Sequence, residues 1–519
     1  MFDVVVIGSG FGGSFLSMVL RRLGRTVLLI EKHRHPRFVI GESSTPLADL
    51  LWLNLTERYG LPSLAPFAKW GTWRRNYPEV SCGLKRGFTF FHHQLSMPFG
   101  AAADRSDQLM VAASPRDEIA DTHWYRPEFD QFLVREAIRE GVEYVDHCEV
   151  MAVEMAGTGA TIRARHEGRD RSFAGRVVID ASNHRGPVAQ SLGLKDEALP
   201  YLPPTQGLYA HFTDVARLDA LPIHRDVHST PYPIDDAAVH HVFDGGWFWV
   251  LRFCNGITSA GVAATDHAAR RWDLSAGAKG WDRLVASFPT VAKQFSRAVP
   301  TVPFVHAPRL AFATRPAAGD AWALLPSAAG FIDPLLSSGF TLTLLGIERL
   351  ARAFELGWED PRQWSDAMKA YAEATWADQR TLERYIAALY ARMGDFPAFT
   401  EIARLYFCAV IYSETSRRLS ETQRDHGFLM RDHPEFSAGA ASICDRAMRG
   451  EPAENLRRLV EGWLGRFDLG GLDDPVRRPW YPVVADDLRL RRERIGATAD
   501  EIERLIARAG FQGRGANDG

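Results

Sequence analysis

The run Phe2-Asp3-Val4-Val5-Val6-Ile7-Gly8-Ser9-Gly10-Phe11-Gly12-Gly13 is followed, after a helical stretch, by Thr26-Val27-Leu28-Leu29-Ile30-Glu31. The apolar, β-branched opening predicts a buried strand over Phe2 to Ile7. The glycines predict a tight turn, Ser14 to Leu23 a helix, and Thr26 to Ile30 a second buried strand. This is a β-turn-α-β unit, and each part has a physical task. Gly8, Gly10 and Gly13 permit a sharp turn and close backbone approach, and the helix start offers N–H groups and a positive dipole end to a pyrophosphate. Glu31 closes the second strand, where its carboxylate can accept hydrogen bonds from an adenosine ribose. The pattern points to a dinucleotide and leaves FAD and NAD both open.

The rest of the composition narrows the setting. With 519 residues and 46% hydrophobic content, the chain is long enough for roughly three units of about 150 residues. Lys+Arg 61 against Asp+Glu 64 gives a net charge of -3, which argues against nucleic acid or an anionic membrane surface as main partner. Cys82, Cys148, Cys254, Cys408 and Cys444 are scattered without a CxxC pair, so free thiols are expected, with no zinc site. His92-His93 and His240-His241 are adjacent pairs; in strands they point to opposite faces and cannot share a metal, so no metal is expected. No leader-like segment precedes the first strand and no apolar run reaches the ~18 residues of a membrane span. A cytoplasmic protein without a membrane span is expected.

Further along, residues 35 to 125 read as loop-rich with a strand candidate at Cys82 to Phe91. Pro127 to Glu140 is helical, Val142 to Met155 and Thr161 to Arg165 suggest strands, and Val177 to Asp180 is a buried strand closed by a turn at Ser182-Asn183. His240 to Phe243, Trp247 to Phe253 and Thr258 to Ala264, joined by Asp244-Gly245-Gly246 and Asn255-Gly256, read as an antiparallel meander. Trp322 to Leu325 is a strand and Phe340 to Leu356 a helix; helical periodicity then dominates, as in Trp364 to Met393, Asn455 to Phe467 and Ala485 to Arg508, with a frayed end at Gln512 to Gly519.

Several segments carry a resemblance. His35-Pro36-Arg37-Phe38 and Gly41-Glu42-Ser43 follow the second strand. Then come Cys82-Gly83-Leu84-Lys85-Arg86-Gly87-Phe88, Tyr125-Arg126-Pro127-Glu128-Phe129-Asp130, His240-His241-Val242-Phe243 and Trp247-Phe248-Trp249. Phe331-Ile332-Asp333-Pro334-Leu335-Leu336-Ser337-Ser338-Gly339 fills a complete F-x-x-P-x-x-S-x-G pattern. Over about residues 1 to 355 these segments resemble the flavin-dependent halogenases, especially the phenol-directed, phloroglucinol halogenase-like members. The resemblance implies an α/β, doubly wound, Rossmann-like FAD-binding fold of the aromatic hydroxylase and glutathione reductase type. Residues 1–355 would form the FAD module with an interleaved antiparallel substrate sheet (about 80–125 and 200–300). Residues 356–519 would be a helical region covering the substrate pocket.

The resemblance also implies roles. Arg37, Gly41, Glu42 and Ser43 would join Gly8, Gly10, Gly13 and Glu31 around FAD, Arg126 would reach the flavin side, and Asp333 would border the isoalloxazine ring. The amides of Ser338 and Gly339 would hold the halide ion, since a turn supplies oriented N–H groups without opposing charge. FADH2 from a separate flavin reductase, with O2 and chloride or bromide, would give hypohalous acid, which Lys85 would hydrogen-bond or convert to a haloamine. An amine lining an apolar tunnel loses solvation and becomes partly neutral. Phe88, Phe331, Pro334 and Ser337 would line the tunnel, and Trp247 and Trp249, two apart on a strand, would project to one face as a wall. The substrate would be a small electron-rich aromatic, free or carrier-bound, from secondary metabolism such as antibiotic biosynthesis. Leu336 stands where tryptophan halogenases carry a glutamate, which favours a phenol over an indole. Leu251-Arg252 stands where the family has Ile-Pro, and this keeps FAD-dependent aromatic hydroxylation as the alternative. Aromatic hydroxylases carry Gly-Asp where this chain has Pro326-Ser327, and Gly319-Asp320 reads as a turn entering a strand.

Overall fold

A strand that buries Val4 to Ile7 needs backbone partners on both edges, and the opening hexapeptide obtains them. In a computed structural model, which describes residues 1–100, 102, 104–157, 159–182, 185–221, 230–419 and 426–511, Phe2–Ile7 lies between Val27–Ile30 and Arg169–Asp180, parallel to both. Glu143–Val145 extends this sheet beyond Val27–Ile30, and Trp322–Leu324 extends it beyond Arg169–Asp180. The helix Phe11–Arg22 connects the first two strands, so the doubly wound core has the expected form. Gly319-Asp320 is indeed a turn, since Ala318–Gly319 folds back antiparallel onto Trp322–Leu324.

The second sheet is a meander with two parallel seams, the outer one where Trp480–Tyr481 joins Gln108–Ala112. Thr205–Thr213, Thr258–Thr265, Gly246–Arg252 and Ala238–Phe243 run antiparallel in turn. Ala238–Phe243 then pairs parallel with Gly87–His92, which pairs with Gln108–Ala112. Alternation gives this sheet two apolar faces. Phe88, Phe90, Trp247, Trp249 and Leu251 join the main core. Phe91, Phe248 and Val250 join a separate core, to which Trp272, Trp281 and Val291 of the helices after residue 265 belong. His240 and His241 accordingly face opposite ways: His240 stacks on Phe90, and His241 meets Gln294 at 2.9 Å.

Three sequence expectations need correction. The Cys82 to Phe91 strand is two strands, broken at Arg86, whose guanidinium turns to Asp117 at 2.6 Å. Cys82–Lys85 pairs instead with Asp121–Trp124. The loop-rich reading of residues 35 to 125 omits the helix Pro46–Arg58, which starts with Thr45 accepting from the Ala48 amide and proline in the first turn, a legible start signal. Ala485 to Arg508 is not one helix. Ala485–Arg491 gives way to a tight turn at Arg492–Ile495 and Gly496 at φ +64°, and a Thr498–Glu501 capping box opens Ala499–Arg508. Asn183 and the segment 512–519 lie outside the described residues.

The Cys82–Lys85 strand also touches the end of Gly246–Arg252, because Gly83 has no side chain: a Cβ there would overlap the carbonyl oxygen of Arg252. Backbone cannot move aside as a flexible side chain can. Gly83→Ala is therefore expected to lower the free energy of unfolding by about 1–3 kcal/mol in urea denaturation. Gly465→Ala, on a helix with open space around its Cβ position, should gain up to about 1 kcal/mol.

Candidate active site

The parallel strands end together, Ile7 level with Ile30 and Asp180, and the glycine turn begins there. Gly8 adopts φ +98°, and a Cβ on Gly13 would overlap the Gly8 carbonyl oxygen. Helix Phe11–Arg22 starts at Gly10 with no side-chain cap, which leaves its first amides to an anion. Two guanidiniums converge over the turn: a Cβ at Gly10 would lie 3.4 Å from Arg126 and 3.6 Å from Arg37. Glu31 accepts from the Ser9 amide at 3.1 Å, the Ser9 hydroxyl at 2.9 Å and the His33 amide at 3.0 Å. Burial pushes its carboxyl up, but Arg37 and these donors together hold it below the usual range.

A strap crosses beside this turn. Gly41 takes φ +85°, and Glu42 and Ser44 bond through their backbones to Trp124 and Thr122 at 2.6 and 3.0 Å. Ser43 forms a bridge with His123, and its buried hydroxyl has no partner. Glu42 is sealed in and pairs with His211 Nε2 at 2.8 Å. Arg126 is held by Asp130 at 2.7 and 2.8 Å and by the Gly41 carbonyl at 2.9 Å. Its guanidinium lies over the Phe11 ring and within 6.0 Å of the Phe340 ring, so it spans from the glycine turn to the start of the helix Gly339–Gly357. The uncapped helix, the paired guanidiniums and the orphaned Ser43 hydroxyl fit a dinucleotide carrying a pyrophosphate.

The Phe331 to Gly339 loop faces the same region. Asp333 is buried; its carboxylate accepts from the Leu335 amide at 3.0 Å and the Tyr390 hydroxyl at 2.8 Å. Tyr390 in turn accepts from Trp247 Nε1 at 3.2 Å. Burial pushes the Asp333 carboxyl up to about 7. Pro334 and Phe331 are half-buried, and Ser337 sits at φ +52°, a left-handed conformation that a serine holds at a cost. Helix Gly339–Gly357 follows directly, with Ser338 as its uncapped N-cap. Gly339 is exposed, with open space where a Cβ would be. Leu336 is fully buried.

Lys85 is fully buried. Its Nζ donates to the Ser44 carbonyl at 2.5 Å and lies 4.0 Å from the centroid of Phe88. Burial pulls the amine down to about 7, opposed by Asp121 and Asp49. Phe88 lines an apolar cavity with Thr45, Thr341, Tyr406, Phe407 and Tyr481. Thr45 and Thr341 hydrogen-bond at 2.9 Å. Lys85, Ser44, Thr45 and Thr341 thus form a continuous contact path to the first turn of the helix that begins at Gly339. Trp247 and Trp249 do share one face, 5.7 Å apart, with His240 between Trp247 and Phe90. The Trp249 indole occupies the space a side chain at Gly261 would take. Arg252 points to the opposite face, bonded to Asp235 at 2.8 Å and the Val215 carbonyl at 2.9 Å, so it leaves the tryptophan wall untouched.

Sequence reasoning missed several groups here. Lys69 bridges Asp49 at 3.1 Å and Asp121 at 3.3 Å, and the Ser44 hydroxyl donates to Asp49. Asp49 had a visible signal, a carboxylate inside the apolar run Leu47-Ala48-Asp49-Leu50-Leu51-Trp52. Tyr390, Asp121 and His211 had none, because long-range pairing alone brings them in.

The FAD dependent oxidoreductase family matches residues 3–320. Monodechloroaminopyrrolnitrin halogenase PrnC of Pseudomonas fluorescens is 29% identical over 422 residues, 80% of this chain and 72% of that protein. Tetracycline 7-halogenase of Kitasatospora aureofaciens is 26% identical over 99% of this chain and 96% of its own length. The fold is shared with halogenase PltM in its complex with phloroglucinol and FAD, at TM-score 0.82 and 21% identity over 93% of this chain and 99% of that one. Among the described residues no helix is long and apolar enough to cross a membrane.

Asp333 yields a pH prediction. An unfolded aspartate titrates near 3.9, so between about pH 4 and 7 the folded chain binds a proton that the unfolded chain lacks. Stability should then fall as pH rises through that window, by on the order of 4 kcal/mol from this group. Asp333→Asn should flatten the pH dependence of the urea midpoint measured across it; an unchanged slope would contradict the assignment.

Proposed function

The chain belongs to the FAD-dependent oxidoreductase family, on its flavin-dependent halogenase side, and we propose that it places chloride or bromide on a phenol-type ring with Lys85 delivering the halogen. One observation carries this reading: an amine sealed from water against the aromatic wall of an apolar cavity, where burial pulls it down to about 7. When bound, reduced FAD supplies with O2 the two-electron oxidant that turns halide into hypohalous acid. Gly8, Gly10, Gly13, Glu31, Arg37, Gly41, Ser43, Arg126 and Asp333 hold the cofactor, and Glu42 stiffens the strap through His211. The uncapped amides at Ser338 and Gly339 hold the halide, a helix start being a ready anion site.

The remaining residues guide and use the hypohalous acid. Phe331, Pro334 and Ser337 border the passage, and Trp247 and Trp249 keep the substrate ring away from the flavin region. The neutral Lys85 amine attacks the halogen of hypohalous acid: the N–X bond forms, the X–O bond breaks, and hydroxide leaves with one amine proton as water. The ring carbon then takes the halogen, and the proton lost from that carbon restores the amine. Arginine cannot replace Lys85 in such a step, because a guanidinium stays protonated. The substrate, free or on a carrier, enters the cavity beneath the C-terminal helices; we take these helices, from about residue 356, as the covering region. A separate reductase supplies the reduced flavin, and the cytoplasm is the setting we assign.

Hydroxylation loses its main support, since Arg252 faces away from the wall. The test is incubation with FAD, a flavin reductase, O2, bromide and phloroglucinol, reading halogen isotope patterns by mass spectrometry. Lys85→Met is expected to cut halogenated product by about 100-fold or more while FAD binding is retained. Hydroxylated product without halogen would favour the monooxygenase instead.

A further inference from the structure

Three ionisable side chains meet behind the Phe88 wall, and the buried Lys85 stands beside them. Lys85 and Asp121 stand opposite each other in the antiparallel pair Cys82–Lys85 and Asp121–Trp124. Asp49, from the helix Pro46–Arg58, accepts from the Ser44 hydroxyl and feels the charge of the Asp121 carboxylate. Lys69 bridges both carboxyls at 3.1 and 3.3 Å. The Asp49 and Asp121 side chains are 0% exposed, whereas Lys69 retains 20%. Apolar residues of like volume would be as stable or more so in such a place, so packing does not explain the cluster.

Charge balance does. With every group ionised, two ammoniums and two carboxylates sum to zero. Moving one proton from Lys85 to the carboxyl pair leaves the sum at zero. A proton can therefore cross the buried site without creating net charge, which is the expensive event in a low dielectric. We propose that Asp49 and Asp121, clamped by Lys69, are a proton reservoir for Lys85, with Lys69 as its outlet to water. The proposal rests on the role given to Lys85 above. With the proton on the carboxyl pair, the amine lone pair is open to hypohalous acid; with it on nitrogen, the ammonium cannot attack.

The directions agree. Burial drives the Asp49 carboxyl well above its usual range, and the carboxylate of Asp121 adds to this. Burial pulls Lys69 down, but Asp49 and Asp121 outweigh it and hold its ammonium above the usual range. The other groups around the amine are His123 and His240, each pushed down to about 3 by burial and so neutral. Glu414 and Arg418 of the helix Phe396–Arg418 bear on Lys69 and bond to each other at 2.7 Å.

The test uses the FAD-loaded protein labelled with 13C at lysine Cε and aspartate Cγ, with Lys85 assigned by the signal lost in Lys85→Met. In the wild type the Lys85 signal should titrate near 7, and the Asp49 carboxyl signal should move in step with it. Asp121→Asn should lower the Lys85 midpoint by about one pH unit and Lys69→Met raise it by about as much; opposite signs are not what a packing defect produces. Carboxyl signals that stay flat while Lys85 titrates would overturn the reservoir, and this arm needs only the Lys85→Met variant used for assignment. Equal Lys85 midpoints in wild type and folded variants would overturn it too. Halogenated product surviving in Lys85→Met would instead sink the role of Lys85 itself, a separate result.

Discussion

A primary amine taken fully out of water must either lose its proton or be given negative charge, and Lys85 is held between those two outcomes. Much of the surrounding architecture serves that balance. The short strand Cys82–Lys85 pairs with Asp121–Trp124, the strap at Ser44 supplies a carbonyl, and Phe88 shields the other side. None of these elements belongs to the dinucleotide unit, yet the strap joins them to it. Residues 41 to 44 leave the glycine turn's neighbourhood and end under the amine.

Close backbone approach makes the arrangement physically possible. Gly83 lets the lysine strand touch the tryptophan strand, and Gly261 makes room for the Trp249 indole. Larger residues would push the wall and the amine apart. The C-terminal helices then close the space, Phe399 and Phe407 meeting Phe90 and Phe88 edge-on or tilted. Covering the site with aromatic rings keeps it dry and costs little conformational entropy, since each ring has few rotatable bonds.

Local signals make the first unit legible. Glycines with an adjacent apolar strand and a closing acid name a dinucleotide turn, and alternation around Trp247 and Trp249 places both on one face. Arg252 looks like a perturbation of the wall only when identity is weighed without parity; one residue on from Leu251, it must face the other way. The Pro46–Arg58 helix is readable from Thr45 and Pro46, a start signal that the loop-like composition around it obscures. Asp121, Lys69 and Tyr390 are not readable, because their meaning comes from partners 20 to 143 residues away, and no spacing rule spans that.

Tyr390 belongs to the helix Pro361–Ala391, yet its hydroxyl sits between Trp247 and Asp333. The helical half is thus hydrogen-bonded into the Asp333 loop and the Trp247 strand as well as lining the Phe88 cavity. Anyone recombining halves of related enzymes to change which ring is accepted would have to carry this phenol across with the indole and the carboxylate it connects. A graft that matched pocket shape alone would arrive with its latch missing.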